Sequence, residues 1–157
     1  MTVELIDHAQ DQARAQYESI AAMLAAVDCD YDRLKELRDL EDGKHLDRGE
    51  LEELAELEAR AGDCESEESA RERISEDPLS VEVRSDWASP GESLEAAEFC
   101  ILLCTGGPAV RIRGELDRGE PVRAWLEHQD WGTPWTQYFG ADSGTLCRYS
   151  SFFFFGE

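Results

Sequence analysis

The sequence predicts an α+β fold, with acidic N-terminal helices packed with a C-terminal antiparallel β-meander of four to five strands. Apolar residues recur at helical spacing through the first half and at strand spacing through the second. The punctuation changes with the period: Pro78 stops the last helical pattern, and the short loops 89-SPGES-93 and 105-TGGP-108 follow it. A length of 157 residues is about one domain's worth. The chain therefore reads as an acidic helical region, 1–78, joined to a sheet region, 79–157, in one composite domain.

The first helix is expected from about Glu4 to Val27, where Ile6, Ala9, Ala13, Tyr17, Ile20, Leu24 and Val27 form one stripe that would pack on the sheet. A second should cover Tyr31–Leu40, capped by Asp30, and Gly43 breaks it. Asp47 opens a third, with Glu50 placed for a capping box and Leu51, Leu54, Leu57 and Ala61 on its buried side. A fourth, Glu65–Glu76, has only Ala70 and Ile74 to bury.

Leu79–Trp87 alternates like a half-buried strand, and Glu98–Cys104 is apolar enough to be central. Gly106 and Gly107 can supply the positive φ angles of a primed hairpin turn. Ala109–Leu116 and Pro121–His128 form the next hairpin. Pairing Leu116 with Val122, Gly114 with Ala124 and Ile112 with Leu126 makes one apolar face. The other face then pairs Glu115 with Arg123, Arg113 with Trp125 and Arg111 with Glu127, and a one-residue slip destroys both. The last strand is expected at about Thr145–Phe155. It ends in four Phe and needs covering by the helices, by the loop 129-QDWGTPWTQYF-139 or by a second copy of the chain.

Thirty-six acidic residues against 15 basic ones give a formal charge of −21. The imbalance is steeper in residues 1–80, with 24 acidic and 9 basic, than in 81–157, with 12 and 6. Direct binding to nucleic acid or an anionic membrane lacks its positive footprint, and basic partners are favoured. No apolar run of about 18 residues occurs. The five cysteines, Cys29, Cys64, Cys100, Cys104 and Cys147, form no CxxC pair. Cys100 and Cys104 would stand roughly 13 Å apart on a strand, so neither metal nor cofactor is expected. Reduced thiols and the lack of a signal peptide point to the cytoplasm of a host cell.

Four groups could carry function. Residues 41–77 hold 15 acidic residues against five basic ones. Glu52, Glu53, Glu56, Glu65, Glu67, Glu68 and Glu72 could approach the charge density of duplex DNA, about one charge per 1.7 Å, or be a solvated helical face. Arg111, Arg113, Arg123 and Trp125, beside Glu115 and Glu127, could fork a planar anion or form an internal salt-bridge ladder. His128 and Asp130 could be an acid–base pair, although no GxSxG, Walker loop or GxGxxG accompanies them. Trp131, Trp135, Tyr138 and Phe139 are expected to plug the Phe-rich strand, and become interface anchors if exposed.

The block CILLCTGGPAVRIRGELDRGEP, followed by RAWLEHQDWGTPWTQYF, resembles small acidic accessory proteins of phages, plasmids and integrative elements, over roughly residues 78–157. By analogy of charge, that setting includes DNA mimics that block restriction enzymes or CRISPR complexes, and the resemblance assigns no functional residue. The expectation is a non-enzymatic anti-CRISPR or anti-restriction inhibitor that fills the basic groove of a host defence complex. The alternatives are an interaction module or homodimer using the aromatic loop and sheet, and a small ligand-binding or enzymatic domain using His128, Asp130 and the arginines.

Overall fold

The structure is a computed structural model, and it describes residues 7–156. Five helices and a five-stranded antiparallel sheet make an α+β protein, helices mostly first and strands mostly after. The chain forms two compact units. One runs from Ala21 to Glu76; the other joins the residues up to Ile20 with those from Asp77 onward.

Helix α1 (His8–Asp28) buries Ala9, Ala13, Ile20, Leu24 and Val27 of the expected stripe and half-buries Tyr17. Glu4 and Ile6 lie outside the described residues. Helix α2 (Tyr31–Gly43) is capped by Asp30, whose carboxylate accepts from the Arg33 N–H at 3.0 Å. Helix α3 (Arg48–Ala61) opens with the expected capping box: Asp47 accepts from Glu50 N–H at 2.8 Å, and Glu50 accepts from Asp47 N–H at 3.2 Å.

Cys29, Leu34, Leu37, Leu54 and Ala61 form the core of this unit, with Tyr31, Leu46 and Leu57 around it. Leu51 is not part of it and is 48% exposed. At 100° per residue it lies about 90° round α3 from the mean direction of Leu54, Leu57 and Ala61. Helix α4 starts at Glu67 rather than Glu65. Ser66 and Ser69 exchange side-chain-to-backbone hydrogen bonds at 3.1 Å, which places the cap at Ser66. Ala70 and Ile74 are its buried residues.

In the second unit, β1 (Ser80–Ser85), β2 (Ala96–Cys104), β3 (Ala109–Asp117), β4 (Glu120–Gln129) and β5 (Thr136–Tyr138) follow in spatial order. Five of the six expected β3–β4 pairs are present, from Arg111–Glu127 to Glu115–Arg123. The sixth differs: Leu116 faces Pro121, not Val122. The turn explains it. Arg118 and Gly119 have φ of 52° and 80°, so both central residues of a two-residue turn lie in the left-handed region, the primed hairpin geometry. That turn fixes one register and the apolar pattern fixes another one residue away. Val122, left over on β4 as a bulge, reconciles them.

The 105–108 turn also differs from expectation. Gly106 has a φ of 100°, Gly107 does not have positive φ, and the Gly107–Pro108 bond is cis. Gly107 serves instead as bare backbone under the Trp131 indole, where a Cβ would collide.

The largest correction concerns the expected last strand. Residues 143–150 form helix α5, capped by Asp142, which accepts from both the N–H and Oγ1 of Thr145 at 2.9 and 3.0 Å. Leu146 and Tyr149, three apart, are both fully buried, and this helical burial overrides the strand propensity of the aromatic run that follows. The Phe run that follows is not a strand. Phe152 and Phe153 are half-buried, Phe154 is exposed, and Phe155 stacks on Phe99 with centroids 4.9 Å apart. The fifth strand comes from the aromatic loop.

One face of the sheet carries Phe99, Ile101, Leu103, Val110, Ile112, Ala124 and Leu126, all buried. Tyr149 anchors α5 by donating to Asp77 Oδ2 at 2.7 Å. The first part of α1 reaches the same unit through Tyr17 Oη, which accepts from Asp142 N–H at 3.2 Å.

Candidate interaction surfaces

Strand alternation puts Arg111, Arg113, Glu115, Arg123, Trp125 and Glu127 on the face opposite the core, as expected. Arg111 Nε donates to Glu127 Oε1 at 2.7 Å, and Trp125 Nε1 donates to the other Glu127 oxygen at 3.1 Å. Arg123 meets Glu115 at 3.4 Å and lies over Trp125, 5.2 Å from its centroid; Arg113 lies 5.9 Å from it. Two residues that sequence spacing did not supply complete the array. Glu98 on β2 takes Arg84 from β1 and Arg113 from β3, and Trp135 stacks on the Arg111 guanidinium at 4.0 Å.

The Arg84 hydrogen bond, helped by the charges of Arg84 and Arg113, holds the Glu98 carboxyl below its ordinary range despite desolvation. Every arginine on this face thus has a carboxylate partner. The array is a salt-bridge ladder in which each arginine engages a carboxylate through one nitrogen, and Arg84 and Arg123 remain largely exposed. A groove of about 260 Å³ crosses it, lined by Glu82, Arg84, Glu98, Cys100, Arg111 and Arg113 among others. Burial pushes the Cys100 thiol up, more than the two neighbouring arginines pull it down, so the groove floor offers no thiolate near neutral pH.

His128 and Asp130 do not form an acid–base pair. His128 is buried on the core face of β4, opposite Val110. Asp130 builds a turn: its Oδ1 accepts from Trp131 N–H at 2.8 Å, and its N–H donates to Thr133 Oγ1 at 3.0 Å. No hydrogen bond joins the two among the described residues. No three His, Cys, Asp or Glu among the described residues come together to hold a metal ion, and none of the described helices is long and apolar enough to cross a membrane.

The aromatic loop is not a plug. Trp131 is 82% and Phe139 83% exposed, while Trp135 and Tyr138 are half-buried. The Phe-rich segment sends Phe155 into the sheet core and sets Phe153 5.4 Å from Tyr149, while Phe154 stays exposed. Two large rings of the loop are therefore left on the surface.

The acidic helices divide their carboxylates. Glu53 is gripped by Arg33, with Nε at 2.8 Å and a second nitrogen at 3.0 Å, and those hydrogen bonds lower its pKa. Glu52 pairs with Arg48 and Glu67 with Arg71. Glu56, Glu65, Glu68 and Glu72 are exposed and have no cation paired to them among the described residues. Spacing singled out all seven glutamates and places Arg48 and Arg71 four residues from Glu52 and Glu67; only folding brings a cation to Glu53, because Arg33 comes from α2, 20 residues away.

No protein-family model matches the chain, and no curated protein or solved structure gives a match either.

Proposed function

We propose that the protein is a non-enzymatic inhibitor whose acidic helical surface occupies the nucleic-acid groove of a basic partner in the host cytoplasm, such as a restriction or CRISPR complex. Segregation of charge is the observation that supports this reading. The arginines on the sheet face pair with its own glutamates, whereas Glu56, Glu65, Glu68 and Glu72 on the helical unit are exposed with no cation paired to them among the described residues. A surface that replaces phosphates attracts a cationic groove, and screening weakens that attraction.

The test starts with capture from a bacterial lysate carrying defence systems, followed by elution with duplex DNA and a salt titration of the captured complex. Reversing Glu56, Glu65, Glu68 and Glu72 to Lys should weaken binding more than reversing Glu52, Glu53 and Glu67, which already carry cations. Binding that resists both DNA and salt would remove the reading.

The exposure of Trp131 and Phe139 favours a second reading, a protein-interaction module that uses the aromatic loop. Trp131→Ala would then abolish partner binding while the charge reversals leave it intact. Trp135 would act indirectly, because its ring is engaged on Arg111.

A further inference from the structure

The two edges of the sheet are not alike. Strand β5 is three residues long and follows Pro134, so it offers little to a further strand. Strand β1 is the other edge, and six residues, SVEVRS, run along it. The irregularity in its pairing comes from an extra residue on β2: Arg84 faces Glu98 and the next residue, Ser85, faces Ala96. Residues 80–84 pair without a break, and the outer side of β1 has no strand beside it among the described residues.

The side chains at this edge are also uncovered. Leu79 is 61%, Val81 36%, Val83 46% and Trp87 104% exposed. Val81 and Val83 are odd-numbered positions of the strand, so alternation puts them on the core side of the sheet, while Leu79 and Trp87 flank its two ends. Glu82 and Arg84 alternate to the ladder side. Arg84 already touches Glu98 but keeps 65% of its side chain exposed, and Glu82 has no paired cation among the described residues.

We propose that β1 pairs antiparallel with β1 of a second copy of this chain, about a two-fold axis through Val83, to make one continuous ten-stranded sheet. The occupant follows from the edge's own pattern. A two-fold axis normal to the sheet keeps faces matched only if the two paired residue numbers sum to an even value. Centring on Glu82 or Arg84 sets like charges against each other. Centring on Val83 sets Glu82 opposite Arg84 of the second copy, twice, and Val83 opposite itself. The same register sets the strand end flanked by Leu79 beside the end flanked by Trp87 of the second copy, so the most exposed apolar residues of the segment fall at the same two places. A closed two-fold pairing uses up the β1 edge of both copies and stops at two.

Each copy carries −21, so association is opposed by net repulsion and should strengthen as salt screens it. This is opposite to the salt response expected of the acidic surface with a basic partner, so the two can fail separately.

The experiment is sedimentation equilibrium of the full chain at about 0.1 and about 0.5 M NaCl. The wild type should reach the mass of two chains, more readily at high salt. Glu82→Arg should weaken the dimer roughly tenfold or more, because two attractive cross-strand pairs become repulsive. Arg84→Glu should do the same. An equimolar mixture of the two variants should recover a heterodimer, since each then supplies the charge the other lacks. Arg84→Glu also gives up Glu98, so Val83→Lys, which sets two ammonium groups face to face, serves as the independent variant, with folding of all three checked by circular dichroism. A wild type that remains monomeric at high salt overturns the proposal. So do variants that dimerise like the wild type, a mixture that does not recover, and open-ended oligomers.

Discussion

Gly114 sits on the core face of β3, where an added methyl has nowhere to go. An ideal Cβ there falls on the edge of the Phe99 ring and 2.5 Å from the Arg123 carbonyl oxygen. Phe99 is 1% exposed and held from behind by Phe155, so the ring cannot retreat into solvent. The carbonyl belongs to β4 backbone and moves only if the strands part. Gly114→Ala is thus an overpacking substitution costing about 1–3 kcal/mol, with about 0.5–1.5 kcal/mol more if Phe99 is forced off its rotamer. For a chain of this size each kcal/mol lowers Tm by roughly 2–4 °C, so a fall of about 2–18 °C is expected. Thermal unfolding followed by near-ultraviolet circular dichroism, together with a urea titration, measures it. Adding Phe99→Leu should recover part of the loss, because the smaller side chain vacates the space the methyl needs, and the two substitutions should be strongly non-additive. Gly43→Ala is the control: it ends α2 in open space and should not lower Tm. An unchanged Tm for Gly114→Ala, or strict additivity with Phe99→Leu, would refute the packing argument.

Three further outcomes are expected. Tyr149→Phe removes the donor to Asp77 from a fully buried ring and should cost about 1.5–3 kcal/mol in urea unfolding; an unmoved midpoint would mean that the bond contributes nothing. Arg118→Asn should raise the unfolding free energy from urea titration by roughly 0.5–1 kcal/mol, since Asn adopts the left-handed conformation more readily than Arg. The acid limb of stability should depend on two carboxylates. Glu53 and Glu98 are held below the ordinary carboxylate range by Arg33 and Arg84. Their contribution is complete above the unfolded pKa and disappears as pH falls through the lower folded values. Tm should therefore fall below about pH 4, with a shallower acid limb in Glu98→Gln. An acid limb of the same steepness in that variant would contradict the assignment.

What was legible in the sequence was local or symmetric. Asp30 and Asp47 were recognisable as caps because each acts on backbone three residues away. The β3–β4 register followed because two faces had to be satisfied at once and one pairing did so. The bulge at Val122 was not legible, since the turn chemistry of Arg118–Gly119 had to be weighed against that register. Helix α5, whose one aromatic residue is Tyr149, was hidden by the Phe run that follows it and favours a strand in isolation; the Asp142 cap and the joint burial of Leu146 and Tyr149 make a helix there. The site was legible as composition rather than arrangement. The seven glutamates could be named, but the loss of Glu53 to Arg33 required α2 beside α3, and the stacking of Trp135 on Arg111 required a strand that spacing did not reveal. The exposure of Trp131 and Phe139 reversed the expected plug for the same reason: Phe155 found its cover in the sheet core.

The unit that carries the sheet is split in the chain, and residues 21–76 lie between its two parts. Its long-range ties are correspondingly remote: Tyr17 meets Asp142 across 125 positions and Gln12 meets Cys104 across 92. Closing such loops is entropically unfavourable and slow, whereas the helical unit relies on short-range contacts such as α2 with α3. Collapse of 21–76 should come first and take those residues out of the loop that remains to be closed. The meander, built from neighbours in sequence, can form at its own pace, and docking of the first part of α1 becomes the late event. In native-state hydrogen exchange, residues 8–20 should then open before β2 and β3 do.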